Sequence, residues 1–188
     1  MSWVRFNETM RGKLVFGLTD PTADPPADAW MFGVVLRLRV EGEAERFLAD
    51  PSHEAQVTGY VESGRLGGER PILRGTFNLF TYGDDFYQRR MLYRIHFRDG
   101  TGRPLLLVGE KLVPRLPAVS PWRDTTTLFT HLSRYTDDGR VIAAAGVLRV
   151  SLLNVLGQLV TMRASRPSIV VRLLAYFLGT LARVYLRR

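Results

Sequence analysis

Residues able to do chemistry are few in this chain and widely separated. His53, His96 and His131 each stand alone in their local sequence, and no pair has metal-ligand spacing, so no metal site is expected. His96 alternates with Arg94 and Arg98 and reads as a surface residue. His131 alternates with Phe129 and Ser133, and is a candidate either to line a cavity or to sit buried with its hydrogen bonds met. In GTFNLF, residues 75–80, Asn78 shares a face with Thr76 and Phe80, opposite Phe77 and Leu79. An amide inside such a structure must be hydrogen-bonded, to a neighbour or to a ligand.

Three further groups could act as acid, base or nucleophile. GEK, residues 109–111, sets Glu110 and Lys111 on opposite faces of a strand. An inward Lys111 would be either a paired buried cation or a nucleophilic amine. Asp124 precedes three threonines and is an acid or base candidate, or a carboxylate that bonds a nearby backbone N–H. There is no Ser-His-Asp order, phosphate loop or dinucleotide fingerprint, and GRLGGE lacks the required glycine pattern and precedes a strand. Zero cysteines exclude disulfides, thiolate chemistry and zinc ribbons. No cofactor is expected.

The elements that must position these residues are mostly strands. At 188 residues the chain suits one core with an appendage. In RRMLYRIHFRDG, Met91, Tyr93, Ile95 and Phe97 fall on one side and Arg94, His96 and Arg98 on the other. DGTG, residues 99–102, then predicts a hairpin between residues 88–98 and 103–114. In WMFGVVLRLRVE, Trp30, Phe32, Val34, Leu36, Leu38 and Val40 read as inward. Similar runs predict strands near 10–18, 30–41, 56–63, 70–81, 88–98, 103–114, 125–136 and 141–151, with one helical turn in GEAERFLAD, residues 42–50. Eight strands with short connections predict a mainly β fold: an up-and-down antiparallel barrel of lipocalin or calycin type over residues 1–151, which removes exposed edges. A flatter sheet curled around C-terminal helices is the competing architecture. AAAG, residues 143–146, either leaves room inside the barrel or lets helices pack closely outside.

After Ser151 the period changes, and residues 152–188 read as a helical appendage: one helix over 152–163, then a second over 168–187 with Pro167 in its first turn. From Gly139 onward there are eight arginines and no acidic residue, so the whole net charge of +8 sits there and the remaining 18 basic residues balance the 18 acidic ones. On a helical wheel Arg172, Tyr176, Gly179, Arg183 and Arg187 form one narrow stripe in an otherwise apolar helix. The uncharged run from Leu173 to Ala182 is too short to span a bilayer, which needs about 20 residues. An interfacial helix on an anionic membrane fits better, with Arg172, Arg183 and Arg187 on headgroups. The alternative is that both helices pack across the barrel with their arginines solvated. Basic residues interleaved with aliphatics argue against nucleic acid. The N-terminus holds no apolar run of signal-peptide length, so a cytoplasmic location is expected, peripheral at the inner membrane.

ETMRG (8–12), FLADPSHEA (47–55), LGG (66–68), GTFNLF (75–80), RMLYRIHF (90–97) and WRDTTTL (122–128) together occur in order across most of residues 8–163. The series resembles an accessory region of large bacterial proteins that join a glucose-methanol-choline type, cholesterol-oxidase-like flavin oxidoreductase to an α/β-hydrolase domain. The resemblance implies an association with sterol or other lipid oxidation and carries no catalytic residues over. This chain has neither the flavin-binding glycine motif nor a nucleophile elbow, so neither activity is expected of it.

Together these readings predict a barrel that holds a sterol or long-chain lipid. Its cavity would be lined by Trp30, Asn78, Phe80, Met91, Tyr93, Ile95 and Phe97, with Asn78 or His131 orienting a polar head. Two alternatives belong to other classes. One is a barrel enzyme that cyclises, isomerises or hydrates an apolar substrate with His131, Lys111, Glu110 or Asp124 as acid or base. The other is a module whose apolar helices dock on a partner oxidoreductase or hydrolase.

Overall fold

Alternation of apolar and polar residues carries the chain into strand after strand, and each inward set meets the next across an antiparallel ladder. The computed structural model describes residues 2–82, 89–113, 126–150 and 163–186. Its strands are β1 (Trp3–Phe16), β2 (Met31–Glu43), β3 (Glu54–Ser63), β4 (Gly68–Pro71), β5 (Arg74–Tyr82), β6 (Arg89–Arg98), β7 (Pro104–Val113), β8 (Thr127–Thr136), β9 (Gly139–Val150) and β10 (Arg163–Ala164). Two helices accompany them among the described residues: α1 (Ala44–Ala49) and α2 (Pro167–Leu186).

Strands β1, β2, β3, β5, β6, β7, β8 and β9 pair in that order, and β9 returns to β1, closing an eight-stranded antiparallel barrel. The expected closed, up-and-down architecture is therefore present. The predicted strand over 70–81 is two elements, β4, which pairs only with β3 among these strands, and β5, which continues the barrel. The predicted strand over 10–18 begins far earlier, at Trp3. The helix expected over 152–163 lies outside the described residues apart from Arg163, which opens β10.

β1 is long enough to serve three neighbours. Trp3 to Val15 pair with β2, Met10 to Phe16 pair with β9, and Val4 and Arg5 pair with Ala164 and Arg163 of β10. Gly12 and Gly146 make the seam with β9: a Cβ on Gly12 would strike the Val147 carbonyl, and one on Gly146 the Lys13 carbonyl. The small residues of AAAG thus serve the closing seam. Ala144 joins the core there, and Gly146 lets the β1 backbone approach.

The core fills the barrel interior with Met10, Leu14, Leu36, Tyr93, Ile95, Phe97, Leu107, Leu128, Leu132 and Leu148, each essentially inaccessible. At one end it continues into the helices. α1 buries Ala44 and Phe47, and α2 buries Ile169 and Leu173 in the same cluster. Backbone bonds fix where α2 starts: Ser165 N–H donates to the Trp3 carbonyl at 3.0 Å, and Ala44 N–H donates to the Ser2 carbonyl at 2.9 Å. Pro167 then opens the helix with φ already set and no N–H to leave unpaired. Here α2 lies over His53 and Phe80 at the barrel.

Candidate functional site

Strand parity puts Glu8 of β1, Tyr93 of β6 and Lys111 of β7 on the inward face. Glu8 pairs with the buried Leu38, Tyr93 with Gly109 and Lys111 with Met91, and cross-strand partners share a face. β1 and β7 are not neighbours in the barrel, so the Glu8 side chain crosses the interior. Its Oε1 accepts from Lys111 Nζ in a close ion pair, and its Oε2 accepts from Tyr93 Oη at 2.5 Å. Lys111 Nζ also lies 5.3 Å from the centre of the Tyr93 ring, within cation–π range. Glu8, Lys111 and Tyr93 are 4%, 3% and 1% exposed. Both carboxylate oxygens are thereby satisfied, as a buried charge requires. Burial pushes the Tyr93 hydroxyl well above its ordinary range, and the adjacent Glu8 carboxylate adds to the effect, so Tyr93 stays a donor.

A second polar contact ties the barrel to its cap. The Asp50 carboxylate accepts from Ser52 N–H and Oγ at 2.8 Å each, and the chain then turns so that His53 adopts φ +42°. His53 Nδ1 lies 2.6 Å from the Phe47 carbonyl and its Nε2 2.6 Å from the Tyr176 hydroxyl of α2. The neutral tautomer with hydrogen on Nδ1 satisfies both contacts, donating to Phe47 and accepting from Tyr176. Phe80 sits alongside at φ +52°, in a bulge where Leu79 and Phe80 together oppose Met91. Its ring centre is 5.2 Å from that of Phe177 and 6.3 Å from that of Tyr176. Both non-glycine residues with positive φ among those described therefore lie beneath α2. Such conformations cost of order 1–3 kcal/mol each.

The expected cavity residues divide. Met91, Tyr93, Ile95 and Phe97 face inward as read, and Phe80 is fully buried under α2. Three assignments are corrected. Trp30 is 58% exposed because it precedes β2 at the barrel rim; it stacks on Phe16 and lies 4.1 Å under the Arg65 guanidinium. Asn78 is buried on the outer face, since Phe77 and not Asn78 is opposite Tyr93, and its Nδ2 donates to the Ser52 carbonyl at 3.2 Å. His131 is also outward: Leu128, Thr130 and Leu132 take the inward positions of β8, and His131 is partly exposed.

The acid–base candidates divide as well. Lys111 is the paired cation foreseen as one of its two readings. Glu110 lies on the outer face, 3.6 Å from Arg90, and Asp124 lies outside the described residues. Of the tail arginines, Arg172 pairs with Glu45 at 3.0 Å on the surface. The side chain of Arg183 and the whole of Arg187 lie outside the described residues. Glu8 was missed as a site residue, although its signal was present: in VRFNETM a carboxylate occupies the inward register of Val4, Phe6 and Met10.

A surface groove of about 490 Å³ runs beside the start of α2, lined by Ser2, Glu45, Ser165, Arg166, Ser168, Ile169 and Arg172. Its lining mixes polar and apolar surface, and none of its residues belongs to the buried trio. No group of three or more His, Asp or Glu able to hold a metal occurs among the described residues. Comparison of the chain with protein-family models, with curated proteins and with solved structures found no match.

Proposed function

We propose that the barrel binds an apolar molecule with a polar head, a sterol or a long-chain lipid, and exchanges it at an anionic membrane surface through α2. The observation that carries this reading is the Glu8–Lys111–Tyr93 group, a charged cluster within an apolar barrel interior. Lipid-binding interiors combine such walls with a few placed polar groups that orient the ligand. The described interior is filled by the protein's own side chains, so a ligand would enter by displacing Phe80 and lifting α2.

The outer face of α2 supports the membrane part. Val171 is 65% and Leu178 61% exposed, with Ala175 between them on the same face. No helix among the described residues is long and apolar enough to cross a membrane. An apolar stripe on a helix in the stretch from Gly139 onward, whose charged residues are all arginine, suits the acyl boundary of an anionic bilayer, each arginine contributing about 1 kcal/mol near the surface. The Arg172–Glu45 pair is exposed on both sides and is readily exchanged for a headgroup. The association with lipid oxidation implied by the motif series suits a lipid ligand.

Organic extraction and mass spectrometry of the full chain, before and after incubation with vesicles, test the proposal. A single lipid class bound at about one per chain, taken up from anionic vesicles and lost in the Val171→Glu/Leu178→Glu variant, is the expected outcome. A chain that carries no lipid and acquires none overturns it.

A further inference from the structure

The chain has 26 basic residues, and all but two are arginine. The two lysines are Lys13, exposed on the outer face of β1, and Lys111, enclosed in the barrel. As a partner for a buried carboxylate, arginine is the better-suited cation, with a planar fork that pairs in two places and is more weakly hydrated. Lysine supplies what arginine cannot, an amine that can lose its proton and attack a carbonyl.

We infer that Lys111 captures the carbonyl of an apolar aldehyde or ketone as an imine, with Glu8 as proton acceptor and counter-ion and Tyr93 as the group that positions Glu8. The inference rests on the ligand-binding reading above and names its ligand class. Two features meet at Nζ. Glu8 Oε1 is in direct contact with it and is the acceptor at hand for its proton. Tyr93 occupies Oε2, and its raised pKa keeps it a donor throughout, so Oε1 is the oxygen left for Lys111. Gly109, opposite Tyr93, has no side chain of its own on the inward face, and Leu128 packs into the space that a Cβ there would take.

The step balances without a further reagent. The Nζ lone pair forms a bond to the carbonyl carbon as the carbonyl π pair moves onto oxygen, and one Nζ proton passes to that oxygen, giving a carbinolamine. The proton held by Glu8 passes to the carbinolamine hydroxyl, the carbon–oxygen bond breaks, and water leaves as the carbon–nitrogen double bond forms. The iminium that results keeps the positive charge at the same atom, and the Glu8 carboxylate again neutralises it. Reaction requires the same lifting of α2 that ligand entry requires.

Full-length protein incubated with decanal and cyanoborohydride, then digested and mapped by mass spectrometry, tests this. Reduction fixes an imine as a secondary amine whose added mass is that of the aldehyde less one oxygen. At least about tenfold more adduct is expected at Lys111 than at Lys13, since a bound chain holds its carbonyl beside the inner amine. Glu8→Gln should slow formation at Lys111 and leave Lys13 unchanged, and Lys111→Arg should abolish the inner adduct while retaining decanol in native mass spectra. Decanol bound by the wild type with no Lys111 adduct from decanal overturns the imine and leaves the binding reading standing. Retention of neither compound removes both. Because the two lysines are compared within one folded chain, the result does not depend on any variant folding.

Discussion

Lys111 and Glu8 are each isolated without the other. Removing one partner leaves a buried, unpaired charge, so Glu8→Gln or Lys111→Met should cost about 3–5 kcal/mol in urea unfolding. The double variant Glu8→Leu/Lys111→Met should recover most of that, since a well-packed apolar pair needs no compensation. Asp99 is the contrasting carboxylate. Burial works to raise its pKa, but hydrogen bonds from Thr101 and Arg103 outweigh that and bring it down from 3.8 to about 2. A lowered folded-state pKa contributes stability that is present above the unfolded value and is lost as pH falls from about 4 through about 2. Asp99→Asn should therefore unfold at lower urea than the wild type at pH 7, with the gap closing near pH 2. Of the chemistry at this scale, parity separated Lys111 from Glu110 but left open which of the two is inward, and pairing with the buried Met91 decides it. Glu8 was not, because an inward carboxylate breaks the very alternation by which a strand is recognised, and β1 was consequently read as starting only beyond it. Asn78 and His131 were misplaced for a related reason: parity within one strand leaves open which of its two faces is inward, and pairing with β6 and β9 decides it.

At the scale of elements, α2 is attached by contacts of unequal quality. Ile169 and Leu173 enter the core, but Thr180 buries a hydroxyl that has no hydrogen-bond partner among the described residues, and the Tyr176–His53 contact is only partly buried. Thr180→Val should stabilise the docked helix by about 1–2 kcal/mol, because it removes an unsatisfied polar atom of nearly the same volume. Tyr176→Phe should act oppositely, by about 1 kcal/mol, leaving His53 Nε2 without its donor. Hydrogen exchange of the α2 amides is the measurement for both: protection should rise in the first and fall about fivefold in the second, with the barrel strands unchanged. The helix itself was legible from its apolar run and Pro167. Its resting place was not, since nothing local announces that His53 and Phe80 adopt the left-handed region to receive it.

For the whole molecule, the closed barrel was predictable from the count of alternating runs and their short connections, whereas the seam was not. Closure depends on Gly12 and Gly146, where a side chain would strike the opposite strand's backbone. Gly146→Val should leave β1 and β9 unzipped, seen as loss of exchange protection along both strands and as an oligomer on size exclusion, because the freed edges are templates for pairing. β1 also holds β10, so the seam and the seat of α2 share one strand.

That shared strand has a kinetic consequence. Met10 finds Val150, and Val4 finds Ala164, only after nearly the full described chain has been gathered, whereas hairpins such as β6–β7 form from neighbours. Contacts so distant in sequence carry the entropy of closing a very long loop, and they place the barrel among the slow folders, in the millisecond to second range. The rate-limiting event should be the arrival of the late strands on β1. Until then the interior trio is open to water, and charge burial, docking of α2 and ring closure are completed together.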